Sequence, residues 1–306
     1  MLRSSLPLLL VALCACNVIA MKQRSLESQL SSAKLSWREV DRDGHHLGTW
    51  LGGTPDGKHR PVLLVHGFGA SGVWQWSEQA AALAKDRTVL LPDLPWFGAS
   101  TSQRTDFSID AQVAAVVALL DALELKDVDV VGISYGGIVA YELAALHPQR
   151  VGKLVMVDSP GREYTRADYD ALCARFATDD LAKVLIPADT NGIDQLMGLA
   201  YQQPPWTPPI VRQQALDTLY VKNRTEQAAL LHALVQSIDT AAERPGAVAA
   251  PTLVVWGRND PVFPLELGQR LAERLHAKLE IVEGAKHFVP SEHPEPVTRH
   301  LKAFLQ

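Results

Sequence analysis

The run Val131-Gly132-Ile133-Ser134-Tyr135-Gly136-Gly137 carries Gly-x-Ser-x-Gly at Gly132, Ser134 and Gly136. A serine hydroxyl becomes a useful nucleophile only where a base removes its proton. Glycines on both sides of Ser134 let a strand turn sharply into a helix without Cβ collisions. The valine-rich residues 128–131 precede the motif, and a helical pattern over 135–146 follows it. This context sets the hydroxyl at a sheet end, beside a helix N-terminus, where acyl transfer through a covalent intermediate is the natural chemistry. Ten histidines compete for the role of base: His45, His46, His59, His66, His147, His232, His276, His287, His293 and His300. Cys173 has no activating motif around it and reads as a small packing residue. No H-E-x-x-H and no clustered Cys/His run is present, so neither metal nor cofactor is expected.

The elements that must position Ser134 are legible as alternation. Short runs dominated by apolar residues occur at 61–65, 89–91, 128–133, 154–157, 253–256 and 279–282, the first of them wholly apolar. Such runs suit strands buried on both faces of a parallel sheet. Helical patterns lie between them at 77–85, 109–123, 135–146, 265–275 and 295–304. The expected class is therefore α/β, a doubly wound and mostly parallel sheet. Residues 161–245 break the alternation and read as a helical cap inserted between two late strands. The division expected is 1–20 as signal, lipoprotein segment or anchor and 21–44 as tether and first strand. Residues 45–160 and 246–306 then form the core, and 161–245 the cap.

Composition removes several classes. The chain has 306 residues, is 47% hydrophobic and 21% charged, and carries 29 Lys+Arg against 34 Asp+Glu. It can build a core, and without a basic excess no nucleic-acid partner is expected. Three cysteines cannot form a disulfide scaffold. Beyond the N-terminus there is no run of 18 apolar residues, which argues against a polytopic membrane protein.

In motif order, from about residue 45 to 306, the chain resembles the α/β-hydrolase fold superfamily. His66-Gly67-Phe68-Gly69-Ala70-Ser71 matches that family's oxyanion loop. The resemblance implies that the backbone N–H groups of Phe68 and Tyr135 hold the developing oxyanion, with His66 orienting the loop. Gly284-Ala285-Lys286-His287 resembles the terminal segment bearing the base, which makes His287 the base and leaves His293 at a helix entrance. Trp256-Gly257-Arg258-Asn259-Asp260 stands in the family's place for the acid, giving a Ser134, Asp260, His287 triad. Asp158 is the alternative acid, because some members place it there. Pro92-Asp93-Leu94-Pro95-Trp96-Phe97-Gly98-Ala99-Ser100 matches a family loop in which Asp93 organises hydrogen bonds. Trp96 and Phe97 are expected in an acyl pocket, with Trp74, Trp76 and Trp206 as lid or wall residues.

A serine nucleophile argues against the dehalogenases and epoxide hydrolases of this fold, which use Asp. The loop and elbow motifs are similar to those of bacterial family V lipases and membrane-anchored monoacylglycerol lipases. The resemblance implies a carboxylester hydrolase acting on acyl or lipid esters. A C–C bond hydrolase, another small-molecule hydrolase and a non-catalytic receptor-like member are the alternatives. A monomer is expected.

Residues 6–13 (LPLLLVAL) form an apolar core after one positive charge, as in an export signal. Leu13-Cys14-Ala15-Cys16 resembles a bacterial lipobox, which implies lipidation of Cys16 and contact with a membrane through the N-terminal segment. Cleavage after Ala20 and a retained anchor are the rivals. The protein is accordingly expected to be exported and tethered in the cell envelope, with a periplasmic or secreted form as the alternative. Residues 22–34 are polar and read as a tether or a weak helix.

Overall fold

The computed structural model describes residues 17–69 and 71–306. Its centre is a nine-stranded sheet: β1 (Leu35–Arg42), β2 (His45–Gly53), β3 (Val62–Val65), β4 (Thr88–Pro92), β5 (Thr101–Ser102), β6 (Val128–Ile133), β7 (Val151–Val157), β8 (Thr252–Gly257) and β9 (Lys278–Val282). The strand order is β1-β2-β4-β3-β6-β7-β8-β9, with β5 paired to β2. From β4 to β9 neighbouring strands run parallel, whereas β2 pairs antiparallel with β1, β4 and β5. The expected α/β, mostly parallel sheet is what the chain forms. The β1–β2 hairpin includes the first strand expected within 21–44, and the two-residue β5 pairs with β2 beside it.

Strands β3 and β6 are buried along their whole length, because helices cover both faces. Successive side chains alternate between those faces. Leu63 and Val65 join one core cluster, with residues of the helices Ile109–Ala122, Ser134–Leu146 and Leu265–Arg274. Val62 and Leu64 join the other, with Trp76, Leu83, Val297 and Leu301. The chain reverses its direction of travel across the sheet between β3 and β6, and a crevice opens at the carboxyl ends of strands at such a point. Residues 66–69 and Ser134 both emerge there.

In the N-terminal part, where a tether or a weak helix is expected before a first strand, the chain forms the helix and then β1. Residues Val18–Ser32 form a 15-residue helix, capped by Asn17, whose side chain accepts from the Ala20 amide at 2.9 Å. Its Leu26 and Leu30 are buried in the second core cluster beside Trp76 and Ala80. Leucines four residues apart share one helix face, and that sparse stripe is enough to dock an otherwise polar segment. Cys16 and the apolar run 6–13 lie outside the described residues. No described helix is long and apolar enough to cross a membrane.

Between β7 and β8 the chain is helical, in the segments Arg166–Arg175, Ala182–Leu185, Thr190–Ala200, Pro209–Ala215 and Arg224–Ser237. Its two ends are joined by one guanidinium. Arg162 pairs with Glu142 through two contacts of 2.8 and 2.7 Å and also donates to the carbonyls of Arg244, Pro245 and Gly246. The start and finish of this excursion are thereby fixed to helix Ser134–Leu146.

Candidate active site

Ser134 follows β6 directly and opens helix Ser134–Leu146 at φ +54°, in the left-handed region. A non-glycine residue there stores about 1–3 kcal/mol of strain. The turn survives because its neighbours leave no alternative space. A Cβ on Gly136 would stand 2.1 Å from the His66 carbonyl oxygen, and one on Gly132 2.5 Å from that of Gly136. Ser159 Oγ donates to the Ser134 carbonyl at 2.7 Å and braces the turn from β7.

Loops after β8 and β9 bring an acid and a base to the hydroxyl. His287, after β9, has Nε2 2.9 Å from Ser134 Oγ. Its Nδ1 lies 2.7 Å from Asp260 Oδ2, contributed by the loop after β8. Asp260 Oδ1 accepts from the amides of Val262 and Phe263 at 2.7 and 3.0 Å. These bonds fix the carboxylate, so an imidazole donating from Nδ1 presents Nε2 to the serine as a base. Asp158, the alternative acid, is buried close by and accepts from the Gly257 amide, while His287 is engaged by Asp260.

Phe68 and Tyr135 line the cavity at Ser134. Tyr135 is the second residue of its helix, and amides of a first turn have no intrahelical acceptor. The 66–69 loop is held from behind. Gly67 N–H donates to Gln75 Oε1 at 2.6 Å, and His66 Nε2 accepts from the Leu94 amide at 2.9 Å. Burial pushes the His66 pKa down to about 4, so its ring is neutral and Nδ1–H donates to the Gly67 carbonyl. Asp93 accepts from the Gly72 and Ala99 amides, and burial pushes its pKa up to about 6. His66 and Asp93 are loop organisers; neither lines the cavity.

A cavity of about 400 Å³ leads from Ser134 between sheet and cap. Its walls include Leu172, Leu185, Leu196, Met197, Leu199, Val211, Leu219, Tyr220, Leu231 and Leu234 from the cap. No Lys, Arg, Asp or Glu is among its described lining residues. The cap also grips the His287 loop: the His287 and Phe288 amides donate to Leu199 and Ala200 carbonyls, and Lys286 Nζ donates to Gly198.

The expected aromatic contacts need correction. Trp96, Phe97 and Trp206 do not line this cavity. Phe97 is fully buried behind the loop, edge-on to Phe68 and His66. Trp96 stacks against Phe107, and its carbonyl accepts from the cap residues Asn223 and Gln227. Trp206 is 86% exposed, although Pro205 and Thr207 on either side line the cavity. Trp74 is a wall residue and Trp76 a core one. Besides the apolar cap residues, Gln75 and Ile19 escape the sequence reading. Gln75 lies between Trp74 and Trp76 on helix Gly72–Leu83, and Ile19 sits in a segment read as an export signal.

Residues 60–294 match the family described as the alpha/beta hydrolase fold. The chain is 31% identical over 247 residues to a 2-hydroxymuconate semialdehyde hydrolase of Pseudomonas sp. (strain CF600), covering 76% of this chain and 82% of that protein. It is 29% identical over 252 residues (80% of this chain) to the dihydrolipoyllysine-residue acetyltransferase component of an acetoin cleaving system of Pseudomonas putida, of which it spans 63%. Among solved structures, it superposes on a membrane phospholipase A, described as a bacterial virulence factor, with a TM-score of 0.76 and 26% identity. That match covers 97% of this chain and 96% of the other. Sheet order, the strained serine after β6 and a match over most of the length agree: the chain belongs to the α/β-hydrolase fold family.

Proposed function

We propose that this hydrolase is a serine carboxylester hydrolase that cleaves acyl esters of lipid character, monoacylglycerols among them, through an acyl-enzyme. Ser134 Oγ attacks the ester carbonyl while His287 Nε2 takes its proton and Asp260 supports the imidazolium. The Phe68 and Tyr135 amides receive the oxyanion; losing one such donor costs on the order of 10²–10³ in rate. The alcohol leaves with the proton from His287. Water, activated by the same ring, then releases the acid.

The observation that carries this reading is the cavity wall, which has no fixed charge among its described residues. Each methylene removed from water there contributes roughly 0.8 kcal/mol, so a long acyl chain is a favourable occupant. A carboxylate-bearing substrate, such as the relative's name describes, would meet no countercharge in that wall, and an unpaired buried charge is strongly disfavoured.

The surroundings of the cavity support a lipid source. Met21, Trp206, Ile210 and Val221 are large apolar side chains with 41–86% exposure. Each lies within two residues of a cavity-lining position: Ile19, Pro205, Val211 or Tyr220. Lipidation of Cys16, two positions before helix Val18–Ser32, would hold this rim at a membrane and place the protein in the cell envelope.

Hydrolysis of an ester series from acetyl to long acyl chains, beside a monoacylglycerol and a C–C cleavage substrate, tests the proposal. Catalytic efficiency rising with chain length is expected; turnover of the C–C substrate alone would overturn it. Mass spectrometry of the mature N-terminus is expected to find acylated Cys16, and a free amine at Met21 would reject the anchor.

A further inference from the structure

The loop after β7 carries a carboxyl that this mechanism does not use. Asp158 is fully buried and adopts φ +43°. Its Oδ1 accepts from the Gly257 amide at 2.7 Å. Its Oδ2 is buried and has no hydrogen-bond partner among the described residues. A carboxylate oxygen of Asp158, one of Asp260 and a ring nitrogen of His287 all lie within 4.8 Å of one another.

We propose that Asp158 is a second, proton-carrying carboxyl behind the triad, a reserve positioning residue that can hold His287 Nδ1–H when Asp260 is absent. The proposal rests on reading Ser134, Asp260 and His287 as the catalytic set. Two carboxylates this close in a water-poor site cannot both ionise without a large repulsion. Asp260 accepts from two amides and faces the imidazole. Asp158 has one amide. Burial first, then the charges of Asp260 and of Glu292 on helix Val289–Glu292, push its pKa well above the usual carboxylate range. The Gly257 N–H opposes them. When the charge of Asp260 is removed, a major cause of that shift disappears. Asp158 then ionises more readily, and with one of its carboxylate oxygens already within 4.8 Å of a ring nitrogen, a small side-chain movement brings an acceptor to the ring.

The test compares wild type, His287→Ala, Asp260→Asn, Asp158→Asn and the Asp158→Asn/Asp260→Asn double variant. The readouts are the rate of fluorophosphonate labelling of Ser134 and kcat on an activated short-chain ester from pH 5 to 10. Loss of a sole triad carboxylate costs roughly 10⁴-fold. Asp260→Asn is expected to lose less than that, and the double variant at least tenfold more than Asp260→Asn. Asp158 stabilises the imidazolium by charge only when it is ionised, so the residual rate of Asp260→Asn should gain a limb that rises with pH and that the double variant lacks. Equal rates and equal pH profiles for those two proteins would overturn the proposal while leaving the triad intact. Wild-type labelling that His287→Ala does not slow would instead remove the triad reading, and this proposal with it. Should Asp158→Asn fail to fold, Asp158→Ser keeps an oxygen for the Gly257 amide and enters the same comparison.

Discussion

His287 Nε2 stands 2.9 Å from Ser134 Oγ across 153 positions of sequence. The two residues meet because β6, β8 and β9 run parallel in one sheet and release their loops at the same edge. The proximity belongs to strand order, which makes it sensitive to single atoms but insensitive to distant surface change.

Ser134→Ala removes the attacking oxygen and keeps the backbone turn. Ester turnover is expected to fall on the order of 10⁶-fold, and fluorophosphonate labelling to vanish, with thermal unfolding nearly unchanged. Substantial labelling of the variant would place the nucleophile elsewhere.

Gly136→Ala tests the packing behind the turn. Its Cβ would overlap the His66 carbonyl, a backbone atom with no room to retreat. We expect a loss on the order of 3 kcal/mol or more, read by denaturant unfolding. A variant as stable as wild type would show that the elbow is less constrained than its geometry indicates.

Glu142→Ala leaves the buried Arg162 guanidinium without its carboxylate. Breaking such a pair from one side costs about 3–5 kcal/mol. Because Arg162 also ties both ends of the cap, long-chain ester hydrolysis should suffer more than acetyl ester hydrolysis. Equal losses on both substrates would separate the cap from this clamp.

The pH dependence of stability should show two buried loop groups in opposition. His66 has its pKa lowered from 6.5 to about 4, so the unfolded chain binds the extra proton between those values. Its contribution is complete above pH 6.5 and is lost as pH falls toward 4, about 3 kcal/mol in all. Asp93 has its pKa raised from 3.8 to about 6, so the folded chain holds the extra proton and stability falls as pH rises through that window. Asp93→Asn removes the second effect. Urea unfolding of this variant should therefore depend more steeply on pH between 6.5 and 4 than that of wild type. An unchanged slope would contradict the assignment.

Leu30→Ala addresses the N-terminal helix. Leu30 is fully buried against the body of the protein, and truncation of such a leucine costs about 2–5 kcal/mol. Ile19→Asp, which puts a carboxylate into the cavity wall, should leave stability closer to wild type and reduce long-chain turnover at least tenfold. Normal turnover by Ile19→Asp would exclude this helix from the substrate path.

The strand runs, the serine turn and a helical insertion between two late strands could be read from the sequence because each is a local pattern: period, glycine spacing, loss of alternation. The family resemblance added which histidine and which aspartate to expect. What only the tertiary structure decided was contact across the fold. It put Asp260, and not Asp158, on His287. It turned Trp96 and Phe97 away from the cavity and Trp206 out to solvent. It also drew Ile19, part of an apparent export segment, into the cavity wall. Residue type sets what a side chain can do, but strand order and helix packing determine which groups come within bonding distance, and neither is encoded in any short stretch of the chain.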